Sequence, residues 1–134
     1  MGKDMIGMSN VSNFNFSTPI SSIIKKEKFF GRMNDPTACA VFIGPCGDEM
    51  EFYLVIEEGI IIEVKCYTDG CKETRMCGLM VAYLAHNKTV NEALTISAGE
   101  VIKKLKNLSF EHLHCSILAV STLYRAIADY LLKK

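Results

Sequence analysis

The stretch Met50-Glu51-Phe52-Tyr53-Leu54-Val55-Ile56-Glu57-Glu58-Gly59 decides the fold that the sequence predicts. A large apolar residue occupies every second position from residue 50 to residue 56, which is typical of a β-strand with one buried face. Glu58-Gly59 predicts a turn. Residues 60–67 then predict a returning strand with Ile62, Val64 and Cys66 on its buried side.

Strands and helices are predicted in separate halves of the chain. A further strand is predicted at residues 38–43, so the first half favours three antiparallel strands in meander order. The predicted helices follow Gly70, span residues 90–94 behind a Thr89 cap, follow Ser97, and run from about Ser116 to the C-terminus. This order predicts an α+β fold, with a three-stranded antiparallel sheet, helices packed on one side of it and a long C-terminal helix.

Length and N-terminal composition predict a single domain behind a tail. Residues 1–18 are rich in Met, Asn, Ser and Gly without periodicity, so we predict a flexible N-terminal tail. Residues 19–134 are predicted to form one domain. Thr18-Pro19 and the apolar residues after it predict a short helix that ends before Gly31 and packs on that domain.

Charge and hydropathy exclude several classes of protein. Fifteen Lys and Arg residues balance fifteen Asp and Glu residues, so no overall field recruits nucleic acid or an anionic membrane. No apolar run approaches the roughly 20 residues that span a bilayer. The N-terminus shows no signal-peptide pattern. We therefore expect a cytoplasmic protein whose six cysteines stay reduced.

Three of the cysteines form a pattern of their own. Cys46 and Cys71 are 25 residues apart and Cys71 and Cys115 are 44 apart, which matches neither a zinc finger nor a Cys-x-x-Cys pair. Each lies at a predicted turn or helix start, and Asp48 and His114 stand beside them. The residues thus predict one inorganic centre with three thiolates and a carboxylate or imidazole. Cys66, on the apolar side of its strand, and Cys39 are predicted to act as small hydrophobic residues, whereas Cys77 is either a packing residue or a thiol near the centre.

Three motifs in order then carry a family resemblance. Pro45-Cys46-Gly47-Asp48, Thr68-Asp69-Gly70-Cys71 and His114-Cys115-Ser116-Ile117-Leu118-Ala119 resemble the IscU/NifU N-terminal-type scaffolds of iron–sulfur cluster assembly. The resemblance implies a non-enzymatic scaffold that assembles a labile 2Fe–2S cluster and transfers it to apo-proteins. It implies sulfur supplied by a PLP-dependent cysteine desulfurase. The site residues it implies are Cys46, Asp48, Cys71, Cys115 and His114, with Cys46, Asp48, Cys71 and Cys115 as metal ligands.

Two segments depart from the family pattern. Lys72-Glu73-Thr74-Arg75 replaces a run of small residues beside the site, which leaves open an adaptor that has lost cluster assembly. Leu108-Ser109-Phe110-Glu111-His112 replaces the segment that recruits a dedicated chaperone, so chaperone-assisted transfer is not expected. His112 is either a solvent-exposed residue or an extra ligand or proton donor.

Further alternatives concern the metal and the sulfur route. Zinc fits the same ligands, so a zinc-bound sulfurtransferase that accepts persulfide is the competing function. Cys115, at a predicted helix start that lowers the pKa of a thiol, is the predicted first acceptor of sulfur. A homodimer is compatible with the sequence, which does not specify the oligomeric state.

Overall fold

The computed structural model describes residues 27–106 and 108–133. The predicted tail at residues 1–18 and most of the predicted N-terminal helix lie outside these ranges. Its last turn is described: Glu27–Phe29 form one turn of 3₁₀-helix that ends before Gly31, as predicted, and Phe30 forms a parallel β-bridge with Cys66. The predicted packing is confirmed at Phe29, which is 3% exposed.

A three-stranded antiparallel sheet forms the first layer of the domain. Its strands are β1 (Ala38–Ile43), β2 (Glu49–Glu57) and β3 (Ile60–Thr68), and they lie in the order β1-β2-β3. Met50, Phe52 and Leu54 are fully buried on the central strand, as the period of two predicts. The sequence therefore predicted the meander correctly.

A β-bulge changes the buried side of β3. The pairing register shifts between Val55 and Ile56, so that Val55 pairs with Glu63 but Ile56 pairs with Ile61. Because the bulge adds one residue to β3, Ile61 is fully buried and Ile62 is 39% exposed. The prediction that Ile62 faces the core is wrong.

Helices cover one face of this sheet. They are α1 (Lys72–Ala85), α2 (Val90–Ala93), α3 (Ala98–Leu105) and α4 (Leu113–Lys133). Helix α1 packs on β3, and α4 packs on β1, β2 and α1. The predicted capping box of α2 is present, with Thr89 and Glu92 bonding reciprocally. Helix α4 begins at Leu113 rather than at Ser116, because a 3₁₀ turn at Phe110–His112 leads directly into it.

The hydropathy of α4 follows from its place in the core. By length and composition alone, Phe110–Lys133, whose most apolar 18-residue window has a mean hydropathy of 1.3, would suffice to cross a membrane. Half of its most apolar window is buried inside the domain. Leu118, Leu123 and Ile127 of this helix belong to the same core as the inner face of the sheet.

The opposite face of the sheet carries a charged network. Arg32 donates two hydrogen bonds to Glu51, at 2.9 and 3.0 Å, and its guanidinium lies 4.0 Å from the ring centre of Tyr67. The Tyr53 hydroxyl also donates to Glu51. The hydrogen bonds from Arg32 are the main reason that the pKa of Glu51 is lowered. Burial, followed by the bond to Glu51, raises the pKa of Tyr53 to about 12.

Candidate metal centre

A tight loop between β1 and β2 presents Cys46 and Asp48. The Gly44 N–H donates to the Asp48 carbonyl at 2.8 Å, and the Gly47 N–H donates to the Gly44 carbonyl at 2.9 Å. Gly47 has a φ of +94°, a conformation that side chains disfavour. The loop therefore turns back within a few residues and leaves the Cys46 thiol exposed.

The Thr74 hydroxyl joins the other predicted ligands. It donates to Asp48 Oδ2 at 2.7 Å and lies 3.3 Å from the Sγ atoms of both Cys71 and Cys115. Across each of the two sulfur contacts either the hydroxyl or the thiol can be the donor. Thr74 is fully buried. It therefore holds one carboxylate and two thiols together at the start of α1.

Gly70 gives the Asp48 carboxylate its space. A Cβ atom at this position would lie 2.9 Å from Asp48 Oδ2 and 3.0 Å from Thr74 Cγ2. Side chains do not tolerate such short contacts, so any other residue at position 70 would displace the carboxylate or the threonine. The glycine before Cys71 is thus required by the close approach of the β1–β2 loop.

Cys115 is the buried thiol of the set. It is fully buried, and its Sγ lies 3.8 Å from His114 Nε2. Burial raises the pKa of Cys115, and negative charge at Cys71, Cys46 and Asp48 raises it further, although the hydrogen bond with Thr74 acts in the opposite direction. The predicted low pKa at the helix start is therefore wrong, because loss of water outweighs the helix terminus.

A second group of donors lies on the outer side of Cys71. Among the described residues, only Cys71, Glu73 and His112 place three potential ligand atoms within 4.8 Å of one another. The pKa of Glu73 is lowered, chiefly by a hydrogen bond from its own backbone N–H and also by one from the Cys71 thiol. No three of the predicted ligands meet this distance, although Thr74 links two thiols and Asp48.

The remaining cysteines divide between interior and surface. Cys66 and Cys77 are fully buried, and burial raises the pKa of each thiol to about 12. Charge at Cys115 and Cys71 also raises the pKa of Cys77, so this core thiol lies near the site. Cys39 lies in β1, as predicted, and is exposed. All six thiols are free.

Sequence reasoning missed Thr74. The segment Lys72-Glu73-Thr74-Arg75 stood out for its charge and bulk, which hid the one small hydroxyl residue in it. Thr74 is three residues after Cys71, and helical residues at that spacing lie on one face. That spacing is the signal that would have found it.

The donor set suits a soft metal or cluster. Thiolates favour iron–sulfur clusters and zinc, whereas a carboxylate is a harder donor. Three thiols, one carboxylate and an adjacent imidazole supply enough ligands for either cargo. The arrangement combines the exposed Cys46 thiol on a loop with the Cys71 and Cys115 thiols that contact Thr74. It can therefore accept a metal or cluster at the surface and hold it against α1 and α4.

Comparisons with known proteins show which family this chain resembles. The sequence profile of the NifU-like N terminal domain family matches residues 22–134. The iron-sulfur cluster assembly scaffold protein IscU 1 of Archaeoglobus fulgidus is 31% identical over 119 residues, which are 88% of this chain and 78% of the relative. IscU of Buchnera aphidicola subsp. Acyrthosiphon pisum is 34% identical over 90 residues, 66% of this chain and 70% of the relative. The crystal structure of the NifU-like protein (N-terminal) from Brucella abortus covers 86% of this chain and 93% of its own, with a TM-score of 0.68 and 14% identity, and so shares the fold.

Proposed function

Because this chain belongs to the family of NifU-like N-terminal domains, we propose that it is the scaffold on which an iron–sulfur cluster is assembled. Its relatives are named as scaffold proteins, so the role is to hold and pass on a cargo rather than to catalyse a reaction. One observation carries the proposal. Cys71, Cys115 and Asp48 meet around the Thr74 hydroxyl, with Cys46 on the adjacent loop.

We assign the cargo as a 2Fe–2S cluster. Three thiolates, from Cys46, Cys71 and Cys115, fill three of its four terminal ligand positions. Asp48 supplies the fourth, and His114, whose Nε2 is 3.8 Å from the Cys115 Sγ, is the nearby alternative donor. The ligands come from a loop and the starts of two helices, so the cluster would bridge segments that are far apart in sequence.

Asp48 is the proposed exchangeable ligand. A carboxylate binds iron–sulfur iron less well than a thiolate does, and Thr74 competes for its Oδ2 with a hydrogen bond of 2.7 Å. Release of the cluster therefore starts at Asp48, because the carboxylate can return to the threonine. In Asp48→Ala we expect slower transfer to an apo-acceptor than in the parent. Equal or faster transfer by Asp48→Ala contradicts this role.

Sulfur is proposed to enter at Cys46 rather than at the buried Cys115. The Cys46 thiol is exposed, so the persulfide of a PLP-dependent cysteine desulfurase can reach it. The Cys46 thiolate attacks the outer sulfur, a new S–S bond forms, and the desulfurase thiolate leaves as the old bond breaks. Each transferred sulfur then needs two electrons from an external reductant to become sulfide.

The proposed setting follows from this chemistry. Ligand thiols must be reduced, so we propose that the protein works in the cytoplasm. Its proposed partners are a cysteine desulfurase and apo iron–sulfur proteins. We do not propose that it binds nucleic acid or a membrane. Transfer is proposed to need no dedicated chaperone, because Leu108–His112 lacks the recruiting sequence.

Anaerobic reconstitution tests the scaffold function. The protein is incubated with ferrous iron, cysteine and a cysteine desulfurase, and visible absorbance, iron, sulfide and zinc are measured. The proposal predicts thiolate-to-iron charge-transfer bands, equal iron and sulfide, and passage of both to an apo-acceptor. A colourless protein with one bound zinc that still accepts persulfide would instead establish the sulfurtransferase. A folded protein that takes up neither metal nor sulfur would support the adaptor.

A further inference from the structure

Cys71 stands between two sets of donors. On its inner side it contacts Thr74, which connects it to Asp48 and Cys115. On its outer side lie the carboxylate of Glu73 and the imidazole of His112, with one donor atom from each of the three residues within 4.8 Å of the others. The cluster site uses the inner set and leaves the outer one without a function.

The His112 ring is held in an orientation that suits metal binding. Its Nδ1 lies 2.8 Å from the Ser109 hydroxyl, which occupies that nitrogen and leaves Nε2 for another partner. Nε2 lies 3.8 Å from Glu73 Oε1. A hydrogen bond on the far nitrogen fixes the ring in this way in most metal-binding histidines.

The spacing fits a shared cation better than a direct bond. A charge-assisted hydrogen bond between imidazolium and carboxylate is about 2.7–2.9 Å long. Ligand atoms of a tetrahedral zinc ion, with bonds of about 2.0–2.3 Å, are about 3.3–3.8 Å apart. The 3.8 Å between Glu73 and His112 is close to that ligand spacing and too long for the direct bond.

We propose that Cys71 Sγ, a Glu73 carboxylate oxygen and His112 Nε2 form a second site, which binds a single divalent transition-metal ion. Mixed sulfur, nitrogen and oxygen donors suit Zn²⁺ and Fe²⁺, and the fourth position is open to water. The two residues that make this site, Glu73 and His112, lie in the segments that depart from the family pattern. The contacts among Cys71, Glu73 and His112 support this site, and it does not depend on whether a cluster is bound.

Sharing Cys71 makes the two sites compete. A thiolate bound to an ion on the outer side is withdrawn from the inner set, so an outer metal ion leaves the inner set with only two of its three thiolates. The partly exposed Glu73 and His112 side chains also make the outer site the more accessible of the two. The outer ion therefore controls when Cys71 is available.

Cobalt titration of the full chain tests this site separately from the scaffold function. Co²⁺ is added anaerobically to Cys46→Ala/Cys115→Ala, which cannot form the inner site, and the thiolate-to-cobalt absorption is recorded. We expect one bound Co²⁺ that Zn²⁺ displaces. Added Glu73→Gln or His112→Gln should weaken binding by more than about 100-fold, and Ser109→Ala by about 10-fold, the range for supporting residues.

Controls keep the result decisive. Glu111→Gln removes an exposed acid next to His112 and should leave cobalt binding unchanged. If the double variant fails to fold, Cys46→Ala/Asp48→Asn disables the inner site on the loop alone. The proposal is overturned if no cobalt–thiolate band forms in folded protein, or if His114→Gln abolishes the band while Glu73→Gln and His112→Gln do not.

Discussion

The interior of the domain and the site at its edge use the same residue, cysteine, for opposite purposes. Cys66 and Cys77 lie among apolar side chains, and their thiols have a pKa of about 12 because burial disfavours the charged form. Cys46 and Cys71 lie at the ends of elements and are exposed. Position along an element therefore separates the thiols that the core encloses from two of the thiols that we propose as ligands, Cys46 and Cys71.

Thr74 sharpens this contrast. It is as fully buried as Cys77, yet it offers a hydroxyl to two thiols and a carboxylate. Buried polar atoms need partners, so this hydroxyl fixes the distances among the ligands. The core thiols lie in apolar surroundings, where a charged metal would find no matching group.

The largest effect should come from the core alone. Phe52 is fully buried on the inner face of β2, so Phe52→Ala should lower the free energy of unfolding by about 3–5 kcal/mol. Val41, 52% exposed on the other face, is the matched control, and Val41→Ala should change it by less than about 0.5 kcal/mol. Urea unfolding measures both. Equal losses would show that the two faces of the sheet do not differ as described.

Removing the Thr74 hydroxyl should affect stability and site together. Thr74→Val leaves the Asp48 carboxylate and two thiols without a shared partner, at a cost of about 1–3 kcal/mol in the free energy of unfolding. We also expect a lower yield of cluster on reconstitution, because the two thiols lose the group that positions them. Thr74→Ser keeps the hydroxyl and should retain most of that yield. If valine matches serine in both measurements, the hydroxyl does not organise the ligands.

Two cysteine-to-alanine substitutions should differ in their effect on the free energy of unfolding. Cys77→Ala removes a fully buried sulfur and should lower the free energy of unfolding by about 1–2 kcal/mol. Cys46→Ala, at an exposed position, should change it by less than about 0.5 kcal/mol. Chemical denaturation compares the two. A larger loss for Cys46→Ala would contradict the assignment of Cys77 to the core.

The smallest expected effect is a pH dependence of stability that comes from the charged network on the face of the sheet opposite the helices. Arg32 lowers the pKa of Glu51 below its ordinary value of 4.5, so the ionised carboxylate stabilises the fold above that pH. This stability should be lost as the pH falls from 4.5 through the folded-state pKa. Glu51→Gln should flatten the decline, measured as the unfolding midpoint against pH. If the unfolding midpoint of Glu51→Gln falls with pH as steeply as that of the parent, groups other than Glu51 cause the loss of stability in acid.

Much of the fold could be predicted because the strands obey a strict alternation. The Glu49–Glu57 strand came within one residue of its predicted start. The bulge beside Val55 was not predictable, since Ile61 and Ile62 are equally apolar and only pairing with β2 decides which one is buried. The exposure of Cys39 likewise depends on the edge position of β1, which no local pattern specifies.

The sequence singled out the thiols of the candidate site, but it did not predict the contacts that connect two of them. Predicted turns and helix starts indicated Cys46, Cys71 and Cys115. Side chains at such positions lie where a loop meets a strand or a helix. Thr74 and the Glu73–His112 pair depend on how α1 approaches α4, a tertiary relation. Burial of Cys115 is tertiary too, which is why its predicted pKa was wrong.

One measurement tests the central claim, that three particular thiols hold the cluster, most directly. Each of the six cysteines is replaced singly by alanine, each variant is reconstituted anaerobically, and bound iron and sulfide are counted in folded protein. The account predicts that the cluster is lost in Cys46→Ala, Cys71→Ala and Cys115→Ala and is kept in Cys39→Ala, Cys66→Ala and Cys77→Ala. A full cluster in any of the first three, or its loss in any folded variant of the last three, would contradict the account.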